Sequence, residues 1–391
     1  MNTPQTPATF TVVDLFAGCG GFTQGFHSYR PEGASAPVFT TVAAVEHDMA
    51  AASTYALNFA AEAGGADHIH AGDIEDWDPL GMGVEADVVL GGPPCQGFSG
   101  LGKEDSKDPR NKLWREYARV VNAVKPKMFI VENVDRFLRS PEFLLLQEAT
   151  DEKSGMLKDY VLVRQSVLNS ADYGVPQARR RAMVVAVRRD LQHLRDLDYP
   201  ERTHSKDAGE FLPGSGPQKW VAVGPAVFEQ TKIDTETTEL PEGRRCSPLG
   251  KELPGGFRTT DLHIGRNPTT LSLQRYASIP PGGNRHDLPA RLSTKNWLEH
   301  PSGAHDVMGR MYWDRPSVTI RTEFYKPEKG RYLHPTADRP ITHYEAALIQ
   351  GFPDTFQWSG SKIQIGRQIG NAVPVGLSRA LAAMVYEGLT R

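Results

Sequence analysis

The first 200 residues alternate short apolar runs with stretches of helical periodicity, and this alternation constrains the fold more than any other feature. Six runs have strand character: residues 10–16, 39–45, 86–90, 127–131, 160–167 and 182–187. Three segments between them have helical patterns: residues 24–29, 49–61 and 111–124. Strands that alternate with helices form mostly parallel sheets covered on both faces. The sequence therefore predicts an α/β fold with a doubly wound sheet.

The character of the chain changes near residue 200. Residues 201–339 contain many glycines and prolines, carry scattered arginines and show no clear period. Helical patterns return at residues 344–349 and 375–389. We therefore expect two domains, one formed by residues 1–200 together with 341–391 and a smaller, irregular one formed by residues 201–340.

Composition narrows the class of protein. The 391 residues are 39% hydrophobic with a formal net charge of −3, but residues 258–339 carry thirteen Lys and Arg against eight Asp and Glu, which could bind a polyanion. The three cysteines, Cys19, Cys95 and Cys246, lie far apart, so we predict neither a disulfide framework nor a metal site. Without a signal peptide or a long apolar stretch, the sequence predicts a soluble, cytoplasmic protein.

Cys95 directly follows the apolar run at residues 86–90, behind Pro93 and Pro94. Open α/β sheets carry their functional residues at the carboxyl ends of the strands. Each proline fixes its own φ and restricts the residue before it, so the thiol has little conformational freedom. A reactive group needs such fixed placement, and this favours a nucleophile over a buried structural thiol.

A second candidate site follows the first predicted strand. Gly18 and Gly20 lie in a glycine-rich turn before a helix, where backbone N–H groups can bind a ligand. Thr23 stands where the dinucleotide fingerprint G-x-G-x-x-G requires glycine, which argues against a diphosphate. Glu46 ends the second strand, where a carboxylate can bind a ribose, and Asp73 lies in a loop suited to an adenine amino group. Together these features indicate an adenosine ligand without a diphosphate.

Five segments in sequence order carry a family resemblance. They are Asp14-Leu15-Phe16-Ala17-Gly18-Cys19-Gly20-Gly21-Phe22, Gly92-Pro93-Pro94-Cys95-Gln96-Gly97-Phe98-Ser99, Glu132-Asn133-Val134, Gln177-Ala178-Arg179-Arg180-Arg181 and Gln368-Ile369-Gly370-Asn371-Ala372-Val373-Pro374. The set resembles the DNA (cytosine-5) methyltransferase family, of the bacterial restriction-modification or orphan type. The resemblance implies an S-adenosylmethionine-dependent methyltransferase sheet as the catalytic domain and a target-recognition domain at residues 201–340.

The implied reaction moves a methyl group from S-adenosylmethionine to C5 of a cytosine flipped out of duplex DNA, leaving S-adenosylhomocysteine. Cytosine C5 is a poor nucleophile, so a Cys95 thiolate must first add to C6 and create an enamine. Glu132 would bond the N3 and amino edge of the base. Arg181 would bind the base oxygen or its flanking phosphate, and Arg179 would orient Glu132. Residues two apart on an extended segment share a face, so both arginines can reach one site.

The resemblance also implies binding residues. Those expected around the cofactor are Phe16, Ala17, Gly18, Gly20, Glu46, Asp73, Ile74, Pro93, Asn371 and Val373, with His47 as a stacking partner for adenine. Those expected at the DNA are Gln96, Ser99, Arg181, Arg275 and Arg285. Residues 96–113 are glycine-rich and basic, and we predict a mobile loop there that closes over DNA.

The resemblance also implies binding partners, and two alternative functions remain open. We expect double-stranded DNA as the partner, a monomer, association with the nucleoid, no metal, and a cognate restriction endonuclease that acts on the same site. Tyr344 stands where the family commonly has arginine, which puts an ion pair near the domain junction in doubt. The alternatives are a tRNA cytosine-5 methyltransferase, whose usual Cys-Phe-Thr phrase is absent, and a catalytically inactive DNA-binding regulator.

Overall fold

The computed structural model describes residues 7–94, 109–208, 216–300, 302 and 305–391. Their strands are β1 (Phe10–Leu15), β2 (Phe39–Glu46), β3 (Ile69–Ala71), β4 (Val88–Gly91), β5 (Met128–Val134), β6 (Tyr160–Asn169), β7 (Arg180–Arg188), β8 (His204–Ser205), β9 (Gln218–Lys219), β10 (Arg245–Cys246), β11 (Leu253–Arg258) and β12 (Gln357–Ser359). Their α-helices are α1 (Gly21–Ser28), α2 (Met49–Phe59), α3 (Pro109–Val124), α4 (Pro141–Ala149), α5 (Thr270–Ser278), α6 (Lys295–Glu299), α7 (His343–Gln350), α8 (Lys362–Asn371) and α9 (Val375–Thr390). No helix in these ranges is both long and apolar enough to cross a bilayer.

The chain forms two compact units. The first comprises Met1–Asn169, Arg180–Glu201 and Val373–Arg391, and the second comprises Ser170–Arg179 and Arg202–Ala372. The boundary at residue 201 lies next to the expected one. Residues 341–372, which we expected in the first domain, belong to the second unit because β12 pairs with β11 there. Residues 170–179 join it because Gln177 bridges to Ser317.

A seven-stranded sheet forms the centre of the first unit, in the order β3-β2-β1-β4-β5-β7-β6. β7 runs antiparallel to both of its neighbours, and the other pairs are parallel. The prediction of a doubly wound α/β sheet is confirmed. β3, with only three residues, was missed because so short a run shows no periodicity. From β1 the chain continues to β2 and β3 on one side and later to β4 and β5 on the other, which opens a crevice at the carboxyl ends of β1 and β4.

Buried apolar side chains hold the helices against this sheet. Val13, Val89 and Val131 of three parallel strands share a core cluster with Trp114 and Tyr117 of α3. These strands are buried on both faces, which explains why their sequences are continuously apolar rather than alternating. The predicted helices are present, and α1 begins three residues earlier than expected, directly after Gly20.

The second unit is held together by buried arginines more than by strand pairing. Arg310 is 3% exposed, and its guanidinium group donates to the backbone carbonyls of Tyr276, Ile279, His334 and Ala337. Arg331 similarly donates to the carbonyls of Gly282, Gly283 and Arg310. Arginine has five donors and no acceptor, so one side chain can satisfy several carbonyls that no strand ladder covers.

Helices α1 and α9 approach each other closely at Gly25. A Cβ atom there would lie 2.3 Å from Cβ and Oγ of Ser378 and 2.7 Å from the backbone nitrogen of Arg379. The Ser378 hydroxyl also donates to the carbonyl oxygen of Phe22, at 2.6 Å. The first unit therefore depends on a residue without a side chain at this crossing.

We predict that Gly25→Ala lowers the free energy of unfolding by about 1–3 kcal/mol, the usual cost of overpacking. Ser378→Gly in the same chain should recover only part of the loss, because the backbone of Arg379 stays close. Thermal unfolding of the two single variants and the double variant gives the coupling. Additive effects of the two substitutions would show that this contact is not the cause.

Candidate active site

The loops that follow β1 to β5 meet at one edge of the sheet, because these five strands are parallel. Most of the expected site residues of the first unit lie in these loops or at the strand ends. Cys95, Gln96 and Ser99 lie outside the described residues, as do residues 97–108 of the expected loop. The described part of this segment ends at Pro94, the residue before the expected nucleophile.

The turn after β1 has an unusual backbone. Phe16 has a φ of 56°, and Gly18 and Gly20 have φ values of 57° and 90°. A left-handed conformation is costly for a bulky residue such as Phe16, and strained residues of this kind cluster at ligand and active sites. The backbone N–H of Ala17 donates to the carbonyl of Val45, which ties the turn to the end of β2.

Glu46 organises the same turn through its carboxylate. One oxygen accepts from the N–H of Gly18 at 2.8 Å, and the other accepts from the N–H of Asp48 at 2.7 Å. Burial raises the pKa of Glu46. A carboxylate has about four acceptor positions, so two remain for other donors such as the hydroxyls of a sugar. His47, beside it, is exposed.

Asp73 begins a short 3-10 turn, Ile74–Asp76, after β3. Its carboxylate accepts from the N–H of Glu75, while the next side chain, Ile74, is 3% exposed. Arg119 of α3 donates to the carbonyls of Ile74 and Trp77, which fixes the position of this turn. A carboxylate beside an apolar side chain suits an aromatic ring with an amino group.

A buried hydrogen-bond network lies beneath the glycine-rich turn. The Thr23 hydroxyl donates to Asp14 at 2.6 Å and lies 2.8 Å from the Tyr55 hydroxyl. Burial raises the pKa of Asp14 to about 7, with a further increase from the charge of Glu46. Thr23, which departs from the dinucleotide fingerprint, therefore has a structural role as the partner of this carboxyl group.

Glu132 and Arg181 form an ion pair at the carboxyl end of β5. The Arg181 Nε lies 2.9 Å from the Glu132 Oε1, and both side chains are largely buried. The strand register explains the contact. Arg181 opposes Val134 in the β5–β7 ladder, and Glu132 lies two residues before Val134 and therefore on the same face of the sheet. The expectation assigned the orientation of Glu132 to Arg179, whereas the ion pair that the structure shows is made by the neighbouring Arg181.

Arg179 has a different position, in the second unit. It is 2% exposed, and its guanidinium group donates to the carbonyls of Ile320 and Gly370. Gln177 is buried with it, accepting from the N–H of Ile320 and donating to the side chain of Gln350. Gln177 was not among the expected site residues, although it begins the segment that carries both arginines.

Asn133 connects the end of β5 to the segment that leads to Cys95. Its amide nitrogen donates to the carbonyl of Pro93 at 2.9 Å, and its amide oxygen accepts from the N–H of Val134 at 2.8 Å. Pro93 and Pro94 have no N–H groups, so they cannot anchor themselves by donating hydrogen bonds. Gly92 leaves room for the neighbouring carboxyl group, because a Cβ there would lie 3.3 Å from the Glu132 Oε2.

The arginines expected at the DNA in the second unit are occupied by the protein itself. Arg285, expected at the DNA, is only 6% exposed and donates to the carbonyl of His300. Arg275 donates to the carbonyl of Leu292, and its guanidinium carbon lies 5.2 Å from the centre of the Trp297 ring. Some of the positively charged side chains of residues 258–339 thus bind backbone carbonyls within this unit.

The remaining expected positions are divided between the units. Asn371 ends α8 in the second unit and is exposed, whereas Val373 is buried in the first unit. Burial raises the pKa of the Cys19 thiol, which makes this cysteine a poor nucleophile. Within the described ranges, no group of three or more His, Cys, Asp or Glu side chains could hold a metal ion.

Tyr344, which stands where the family commonly has arginine, forms a side-chain hydrogen bond. The Tyr344 hydroxyl donates to Asp354 at 3.0 Å, so a hydrogen bond stands where the family's arginine could form an ion pair. The adjacent Glu345 is completely buried and receives two hydrogen bonds from Arg339, at 2.6 and 2.9 Å. Burial alone would raise the pKa of Glu345, but the bonds to Arg339 lower it.

Comparison with known proteins identifies the family. Residues 10–387 match the model of the C-5 cytosine-specific DNA methylase family. The chain belongs to this family. It is a DNA cytosine-5 methyltransferase, and the expectation from its five segments is confirmed.

Individual relatives align over nearly the whole chain. The Type II methyltransferase M.NgoFVII of Neisseria gonorrhoeae is 32% identical over 93% of this chain and 83% of its own length. M.DdeI of Desulfomicrobium norvegicum is 28% identical over 96% of this chain and 88% of its own. These alignments include both units of the methyltransferase.

Solved structures share the fold. A DNA modification methyltransferase encoded within an E. coli prophage has a TM-score of 0.67 at 23% identity, covering 98% of this chain and all of the other. The S. pombe Dnmt2 methyltransferase has a TM-score of 0.55 at 17% identity, with the same coverage. Both similarities extend through the irregular second unit.

We predict that Asn133→Asp slows methyl transfer by at least tenfold, because a carboxylate oxygen would face the carbonyl of Pro93 and the segment before Cys95 would lose its anchor. Asn58→Asp is a matched control, since the Asn58 amide donates to the Thr54 carbonyl at 2.7 Å on α2. The measurement is the single-turnover rate at saturating cofactor and DNA. Equal slowing of both variants would contradict a specific role for Asn133.

The raised pKa of Asp14 predicts a pH-dependent stability. The folded state binds a proton at Asp14 more tightly than the unfolded state does. The protonated carboxyl group therefore stabilises the fold below about pH 4, and this stabilisation is lost as the pH rises towards 7. Asp14→Asn removes the titration but keeps an acceptor for Thr23. The free energy of unfolding of the variant, relative to that of the native chain, should increase by on the order of 4 kcal/mol between pH 4 and pH 8, since one pKa unit is worth about 1.4 kcal/mol. Urea unfolding across this range tests it, and parallel curves for the two proteins would contradict it.

Proposed function

We propose that the enzyme transfers a methyl group from S-adenosylmethionine to C5 of a cytosine extruded from duplex DNA, through a covalent bond between Cys95 and C6 of the base. The observation that carries this proposal is the placement of the Glu132–Arg181 pair beside the Asn133–Pro93 hydrogen bond. A carboxyl group and the segment leading to the thiol are thereby held at one sheet edge.

The residues of the first unit fit S-adenosylmethionine. The left-handed turn at Phe16 and the remaining acceptor positions on Glu46 suit the amino acid and ribose parts, and Asp73 with Ile74 suits the adenine. Bound there, this cofactor supplies an electrophilic methyl group. Thr23 fills the space in which a diphosphate-binding turn would have its third glycine, which agrees with a ligand that has no diphosphate.

The protein's own groups account for the remaining chemistry. The Cys95 thiolate adds to C6, and the electron pair of the C5–C6 double bond becomes available at C5 for attack on the methyl group. Loss of the C5 proton to a base and departure of the thiolate from C6 then restore the aromatic ring. Glu132 binds the N3 and amino edge throughout, and Arg181 fixes the orientation of its carboxyl group.

Arg181 rather than Arg179 is the positioning residue in this proposal. Its Nε contacts the Glu132 Oε1, which leaves Oε2 on the side of Gly92. Arg179 instead stabilises the second unit through two carbonyls. The proposed orienting role at Glu132 therefore moves from Arg179 to Arg181, and Arg179 receives no role at the base.

The proposed partner beyond DNA is a restriction endonuclease with the same target sequence. Several relatives, including M.NgoFVII and M.DdeI, are Type II methyltransferases. We further propose that the second unit recognises the target sequence. Bisulfite sequencing of DNA treated with the enzyme identifies that sequence and the methylated cytosine.

We predict that Cys95→Ser abolishes methyl transfer and that Glu132→Gln lowers kcat by about 10²–10⁴-fold, the usual contribution of acid–base groups. The assay measures transfer from radiolabelled S-adenosylmethionine to duplex DNA, with transfer RNA as the alternative substrate. Duplex DNA containing 5-fluorocytosine should trap the native enzyme as a stable adduct but not Cys95→Ser. Trapping of both, or transfer to RNA alone, would refute the proposal.

A further inference from the structure

Two exposed arginines closely follow the proposed catalytic carboxyl group in the sequence. Arg136 and Arg139 belong to the 3-10 turn Asp135–Arg139, which begins three residues after Glu132. We call this segment the arginine turn. Among the residues that the structure describes, neither side chain pairs with a carboxylate or donates to a carbonyl. This contrasts with Arg179, Arg181 and Arg285, which are all engaged.

A buried aromatic side chain anchors the arginine turn to the first unit. Phe137, between the two arginines, is fully buried, and its ring stacks on that of Trp114 with a centroid distance of 4.9 Å and an interplanar angle of 13°. It also packs edge-on against Phe143 of α4. A rigid base reduces the entropy that is lost when a ligand binds to exposed side chains.

The spacing of the two guanidinium groups suits neighbouring anions. Side chains at positions i and i+3 of a 3-10 turn are aligned, and a rise of about 2.0 Å per residue separates them by about 6 Å along the axis. The acidic residue of the turn, Asp135, lies 3.8 Å from Arg180 instead. Within the described ranges, no carboxylate therefore compensates the two positive charges of the turn.

We propose that Arg136 and Arg139 bind consecutive phosphates of one DNA strand next to the extruded cytosine. The inference rests on the proposed function, because a base that reaches Glu132 must bring its own backbone to this edge. Arginine binds phosphate through paired N–H donors. Such contacts fix the position of the duplex but carry no sequence information.

The test uses the salt dependence of DNA binding by the full chain with S-adenosylhomocysteine present. Each phosphate contact adds about −0.9 to the slope of log K against log salt concentration, so Arg136→Gln/Arg139→Gln should make the slope less negative by about 1.8. The slope is measured with a duplex that contains the target sequence, because the proposed contacts lie next to the extruded cytosine. Each single variant should show about half of the change in slope.

Arg195→Gln is the matched control. Arg195 is exposed and follows β7, which ends beside the beginning of β5, so it lies at the opposite edge of the sheet. Its replacement should leave the slope unchanged. Melting temperatures of all variants verify that they are folded.

An unchanged slope in the double variant, or an equal change in Arg195→Gln, overturns the inference. These results would leave the proposed function intact if the native chain still methylates DNA. A native chain that neither methylates nor binds duplex DNA would instead refute the proposed function, and this inference with it.

Discussion

Parallel pairing of β1, β4 and β5 determines where chemistry can occur in this methyltransferase. The register places the left-handed turn after β1, the diproline segment after β4 and the acidic end of β5 at one edge. Short-range hydrogen bonds then fix these three segments relative to one another, most directly through Asn133 and Pro93. If this pairing slipped, Glu132 and the segment before Cys95 would no longer be neighbours.

Much of the first unit could be predicted from sequence because most of its strands are apolar and largely buried. The six strands of its sheet that have four or more residues were found, whereas β3 was missed because three residues show no period. The positions of Glu46 and Glu132 followed from strand ends, since chain order alone places a residue after a strand, whereas Asp73 was expected only in a loop because β3 was missed. These predictions required no knowledge of side-chain contacts.

The arginines show why the rest could not be predicted. A sequence records charge but not whether a guanidinium group meets solvent, a carboxylate or backbone carbonyls. Arg179 and Arg181 differ by two positions, yet one bonds carbonyls and the other pairs with Glu132. Arg285 was expected at the DNA and is buried instead. Irregular backbone leaves many carbonyls without partners, and that demand is invisible in a pattern of residues.

The buried arginines of the second unit have a consequence for its evolution. Arg310 and Arg331 bond to backbone carbonyls, and every residue supplies a carbonyl whatever its side chain. Substitutions in the loops of this unit therefore leave the bonds at its centre in place, provided that the backbone keeps its course. The surface can diversify while the interior stays constant, and under the proposed role of this unit in target recognition such changes alter sequence preference without a new fold.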